Sequence, residues 1–198
     1  MARGDFASAA ALLATDSTVE GRALQGRLAL YRGDLAGARI AFREAGPFAG
    51  GQAAATGRSA LLAMIQPIER DSLPELGTAF LALARHDSAT AVTRLTQVAQ
   101  ALGPAGGGAE LLVYAGRLEA KMGHDSAAEA LFRRAITPEA PGAAAAADLE
   151  LGRLYIAQAR NREAITALEH LVLNYSGSPL VPQARRLMDQ AKGVVPGT

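Results

Sequence analysis

The sequence predicts an all-α fold made of stacked helical hairpins, and three observations predict it. Alanine is the commonest residue, at about a fifth of the 198, while Val, Ile, Phe and Tyr are few. Alanine is the strongest helix former, and the scarce residues are those that favour strands. Next, a small residue, a turn and a later Ala, Phe and Ala recur in phase along the chain. Finally, capping residues and prolines stand at the starts of several helical runs.

The recurrence is clearest in three segments. Gly26-Arg27-Leu28 is followed by Gly33-Asp34, then Ala38, Phe42 and Ala45. Gly116-Arg117-Leu118 is followed by Gly123, then Ala128, Phe132 and Ala135. Gly152-Arg153-Leu154 keeps the frame with Ala159 at the turn, then Ala164, Leu168 and Leu171. A degenerate copy has Ala79, a turn at His86-Asp87, then Ala91, Leu95 and Val98. Each unit reads as a helix, a tight turn and a second helix. The small residue lets the second helix approach, and positions i, i+4 and i+7 form its apolar face. One hairpin cannot bury that face alone, so neighbours must stack.

Taken in order, helices are expected near 5–14, 18–32, 35–45, 51–66, 73–85, 88–102, 108–122, 125–136, 142–158, 162–173 and 179–192. The first reads as the second half of a hairpin, opening at Gly4-Asp5-Phe6. The next two carry Gly26 and the Ala38/Phe42/Ala45 face. The fourth is an additional helix in the long gap between Gly26 and Ala79. It ends at Gln66-Pro67, since proline disfavours helical geometry in the residue before it. The fifth starts at Pro74 with Asp71 or Ser72 as its cap, and the sixth follows the His86-Asp87 turn. The seventh carries Gly116, and the eighth is capped at Asp125-Ser126. The ninth follows Pro141 and includes the alanine run 143–147, too short to span a bilayer. The tenth carries Ala164, Leu168 and Leu171, and the last begins at Ser178-Pro179. Gly103-Pro104-Ala105-Gly106-Gly107-Gly108 reads as a loop between repeats or a hinge. The expectation is one domain over 1–198, irregular at 47–75, with a glycine-rich hinge loop at 103–108 and a frayed tail at 194–198.

These residues resemble the tetratricopeptide repeat (TPR) family from about Gly4 to Lys192. The leading tryptophan of that family is missing, and Gly116 and Gly152 lie slightly further apart than its period of about 34 residues. The resemblance implies a right-handed superhelical solenoid of about eleven antiparallel helices, with first helices lining a concave groove. The closing segment Tyr175-Ser176-Gly177-Ser178-Pro179 and the helix after it are similar to the Tyr-Pro-x-Ser-Pro linker of bacterial cell-envelope TPR proteins, with Ser176 in place of the first proline. A periplasmic or extracellular location, with a leader missing from this sequence, is therefore favoured over a cytoplasmic one.

The net charge of +1 argues against general affinity for nucleic acid. The chain has no cysteine, so a disulfide framework, a thiolate metal site and a cysteine nucleophile are excluded. No run approaches the roughly 18 apolar residues of a membrane span.

Among candidate sites, His86-Asp87-Ser88 and His124-Asp125-Ser126 read as inter-helix turns that cap the following helix rather than as metal or base sites. His170 is the third histidine. The glycine-rich loop lacks the Lys-Ser/Thr ending of a phosphate cradle. Arg133-Arg134 and Arg185-Arg186 read as solvated faces. A recurring Gly-Arg stands out, at Gly26-Arg27, Gly57-Arg58, Gly116-Arg117 and Gly152-Arg153. The resemblance places Arg27, Arg117 and Arg153 in a row inside the groove, where an arginine fork suits carboxylates. The other reading pairs them with Glu110, Glu119 or Glu150 on neighbouring helices. The candidate partner-binding set is Arg27, Tyr31, Arg58, Arg117, Lys121 and Arg153. With no convergent catalytic site, no metal and no cofactor implied, the expected role is a non-enzymatic scaffold or adaptor for a protein or peptide partner. The alternative is a subunit that self-associates head to tail into an oligomer or filament through half-repeat ends.

Overall fold

A computed structural model describes residues 6–46 and 51–194. The regular elements of the described residues are all helices, and each of the eleven expected helices is present with its ends within two residues of their expected places. The expected opening at Gly4-Asp5, positions 47–50 of the irregular stretch and the tail beyond Val194 lie outside the described residues. The chain divides into two compact units, Met1–Leu102 and Gly103–Thr198.

The first unit contains α1 (Phe6–Leu13), α2 (Val19–Arg32), α3 (Leu35–Ala45), α4 (Gly51–Ile65), α5 (Pro74–Ala84) and α6 (Ser88–Leu102). Thr18 caps α2 by accepting from the Gly21 amide, and Asp34 caps α3 by accepting from the Gly37 amide. Between them Gly33 takes the left-handed conformation, φ 74°. Ala38, Phe42 and Ala45 are all buried, with Phe42 lying on Gly26. The second hairpin pairs α5 with α6, and α5 packs back on α2, past α4, which packs on α3. α4 is thus a single helix inserted between the two hairpins.

Two devices fix that return. The Leu73 amide donates to the Gly33 carbonyl at 2.7 Å, and the Leu35 and Ala36 amides donate to the Asp71 carbonyl. These bonds staple the start of α5 onto the α2–α3 turn and form an isolated bridge between Asp34 and Ser72. Neither Asp71 nor Ser72 caps α5; that position falls to Leu73, which offers no side-chain acceptor. The second device is Arg39 of α3. Its guanidinium donates to the carbonyls of Ile65, Ile68 and Arg70, so it closes the C-terminal end of α4.

The second unit opens on a π-type turn over Pro104–Gly108, where Gly107 has φ 96°. It continues with α7 (Ala109–Lys121), α8 (Asp125–Ala135), α9 (Pro141–Ala157), α10 (Asn161–Asn174) and α11 (Val181–Val194). Each helix packs on the next, while α9 also touches α7 and α11. The alanine run lets α9 be enclosed: Ala143, Ala144, Ala145 and Ala147 are all buried. The face Ala128/Phe132/Ala135 of α8 and the face Ala164/Leu168/Leu171 of α10 are buried as well. On α11, Val181, Ala184 and Ala191 are buried while Arg185, Arg186, Asp189 and Lys192 are exposed.

Candidate functional site

The two Gly-Arg arginines of the second unit converge on one carboxylate. Arg117 on α7 donates from Nε at 3.0 Å and approaches from Nη2 at 2.9 Å to Glu150 Oε1. Arg153, one turn along α9 from Glu150, donates to the same oxygen at 3.1 Å. Of the three glutamates weighed from sequence, Glu150 takes both arginines. Glu119 takes His124, with Nδ1 at 2.7 Å from Oε2. Glu110 has one oxygen, Oε2, that is buried with no hydrogen-bond partner among the described residues. Burial pushes its carboxyl above the ordinary range.

The remaining members of the expected set are placed differently. Arg27 and Lys121 are exposed on α2 and α7, and Tyr31 is half-buried. Arg58 is 4% exposed, and its Nη2 donates to the Gly46 carbonyl at 3.1 Å. It therefore packs α4 against the end of α3. The turn histidines also play local parts. His86 occupies the left-handed turn position, φ 63°, and Asp87 accepts from the Thr90 amide. Asp125 does not cap α8 with its side chain; its carboxylate accepts from Gln158 at 2.9 Å. Among the described residues, no group of three or more His, Cys, Asp and Glu is placed to hold a metal, and no helix is long and apolar enough to cross a membrane.

A different feature stands out in the second unit. A groove of about 320 Å³ runs over α9 between α8 and α10. Its floor is Asp148, Leu151 and Tyr155, three positions of one α9 stripe at i, i+3 and i+7. Asp148 is 2% exposed, and His170 of α10 reaches its Oδ2 from Nδ1 at 2.6 Å. Burial pushes the Asp148 carboxyl up, and the bond from His170 partly offsets this. The His170 ring stands edge-on to Tyr175, with centroids 5.8 Å apart, so the imidazole is held from two sides.

The opposite end of the groove is an ion-pair network. Arg133 of α8 donates to the Tyr155 hydroxyl at 3.0 Å and to Glu129 at 3.1 Å. Arg160 stacks 4.3 Å above the Tyr155 ring and binds both Glu129 and Glu163. Burial works against charge on Glu129, yet the bonds from Arg160, Tyr155 and Arg133 together hold its carboxyl below the ordinary range. The Thr166 hydroxyl, one turn before His170, donates to the Arg162 carbonyl. It is therefore engaged within its own helix rather than aimed at the imidazole.

Nothing adjacent to His170 in the sequence points to its partner. One signal was available: Asp148 lies four residues before Gly152 and seven before Tyr155, on the face of α9 that packs. A carboxylate on a buried stripe needs a partner. Comparison with protein-family models, with curated proteins and with solved structures returns no match.

Proposed function

We propose that this chain is a non-enzymatic interaction scaffold of the TPR type that holds a peptide or partner helix against its first helices. One observation carries the reading: the close approach of glycine to the second helix recurs three times. A Cβ built on Gly26, Gly116 or Gly152 falls 2.5 Å from Phe42, Phe132 or Leu168 respectively. Each of these hairpins turns through a left-handed residue, Gly33, Gly123 or Ala159. Repeated hairpins of this kind leave extended surfaces that the packing does not consume, and repeat proteins use such surfaces for partners.

The arginines give that surface its chemistry. Arg117 and Arg153 hold Glu150 between them, so a carboxylate already occupies the point where two guanidinium groups meet. A partner carboxylate competes for the same forks. Head-to-tail assembly is the weaker reading, because α11 presents Arg185, Arg186 and Asp189 to a copy stacking on it.

The test is a pull-down from the native host followed by binding of each captured partner to the purified chain. Replacing Arg27, Arg117 and Arg153 together by Ala should weaken binding by at least about tenfold. Unchanged binding of every partner, with the variant still folded, would remove the first-helix surface from consideration.

A further inference from the structure

We infer that the groove over α9 is a second recognition site, one that takes a basic side chain, Lys or Arg, from a peptide partner. It goes beyond the first-helix surface and is separate from it: Asp148, Leu151 and Tyr155 lie about half a turn around α9 from Glu150 and Arg153.

The charges argue for a cation. The groove and the network behind it set two arginines, Arg133 and Arg160, against three carboxylates, Glu129, Asp148 and Glu163. Both arginines are committed. Arg133 is bonded to Glu129 and Tyr155, and Arg160 to Glu129 and Glu163 while stacked on Tyr155. Asp148 adds a carboxyl at the floor whose partner is His170 and, among the described residues, no arginine.

The imidazole converts that buried charge into a recognition element. In the tautomer that donates Nδ1–H to Asp148, Nε2 is an acceptor backed by a carboxylate. The His170 side chain is 43% exposed, so an incoming N–H can reach it. Glu163, half exposed two turns away on the same helix and held by Arg160 through both oxygens, adds negative charge at the other end of the groove. Between the polar groups lie Ile136, Leu151 and Ala167, apolar surface of the kind that the aliphatic stem of Lys or Arg covers while its head stays polar.

The experiment titrates the full chain with four acetylated heptapeptides of Ala and Ser that differ only at the centre: Arg, Lys, norleucine or Glu. The readout is the His170 ring resonance in protein labelled at histidine. The Arg and Lys peptides are expected to shift it saturably at millimolar concentration, and the norleucine and Glu peptides to leave it in place. Glu163→Gln, whose fold is checked by circular dichroism, is expected to weaken the Arg peptide by about tenfold. Shifts of equal size from norleucine would make the groove an apolar slot, and preference for Glu would reverse its polarity; either overturns the inference. So does the absence of a saturable shift with both basic peptides. The triple arginine variant of the first-helix surface is expected to bind the Arg peptide as the parent does, so loss of one site is read independently of the other.

Discussion

Gly116 and Phe132 touch so closely that a single added methyl has no room: a Cβ on Gly116 would lie 2.5 Å from Phe132 Cε1. The ring is 1% exposed and cannot swing into solvent. Gly116→Ala therefore overpacks the α7–α8 contact and should cost about 1–3 kcal/mol. Gly57→Ala is the matched control, since among the described residues nothing beyond its chain neighbours and its own helix backbone lies within 4 Å of the Cβ it would add. There the gain in helix propensity stands alone, and stability should rise by up to about 1 kcal/mol. Urea unfolding of both variants measures the contrast. Two glycines that respond alike would mean that the close approach does not control the hairpin.

The hairpin turns share a backbone requirement that the residues meet unequally. Gly33 and Gly123 adopt φ 74° and 79°, while Ala159 and His86 adopt φ 58° and 63° at the equivalent places. The left-handed conformation costs a residue with a Cβ about 1–2 kcal/mol. Gly123→Ala meets no steric contact, so it reports this cost alone, about 1 kcal/mol of lost stability. Ala159→Gly works in reverse and should gain a few tenths to about 1 kcal/mol, the relief being offset by the greater freedom of glycine in the unfolded chain. Thermal unfolding resolves both, at about 2–4 °C per kcal/mol for this length. A destabilised Ala159→Gly would show that the strain at this turn is repaid by contacts of the methyl group.

The helices were legible because each hairpin writes its own pattern. The small residue, the turn and the apolar triplet are local, and all three copies of Ala-Phe/Leu-Ala/Leu are buried as their spacing requires. The site was legible only in part, because it depends on how helices rotate against each other. The sequence offered Glu110, Glu119 and Glu150 to the arginines; the register of α7 on α9 selects Glu150. The partnership of Asp148 with His170 joins residues on two helices, and the alanine run that precedes Asp148 reads locally as no more than a helix start. Arg39 left no trace at all, because its partners are backbone carbonyls, which every residue carries. Asp71 was misread for the same reason: expected as a side-chain cap for α5, it instead offers its backbone carbonyl to the Leu35 and Ala36 amides at the start of α3.

Glu110 carries a pH dependence whose sign follows from its burial. Oε2 is buried without a partner among the described residues, and desolvation raises the carboxyl above its ordinary value. The folded chain therefore binds this proton more tightly than the unfolded chain does. The contribution to stability is fully present below the unfolded value, about 4.3, and is lost as pH rises through the folded value. Glu110→Gln keeps the shape and removes the charge. It should match the parent near pH 4 and exceed it at pH 7 by on the order of 1 kcal/mol, the low end for an unmade bond at a buried acceptor, since the side chain is partly exposed. Denaturant midpoints measured across that range test it. A parent whose advantage over the variant grows with pH would mean that the carboxylate finds a cation in solution, and the account of its burial would fall.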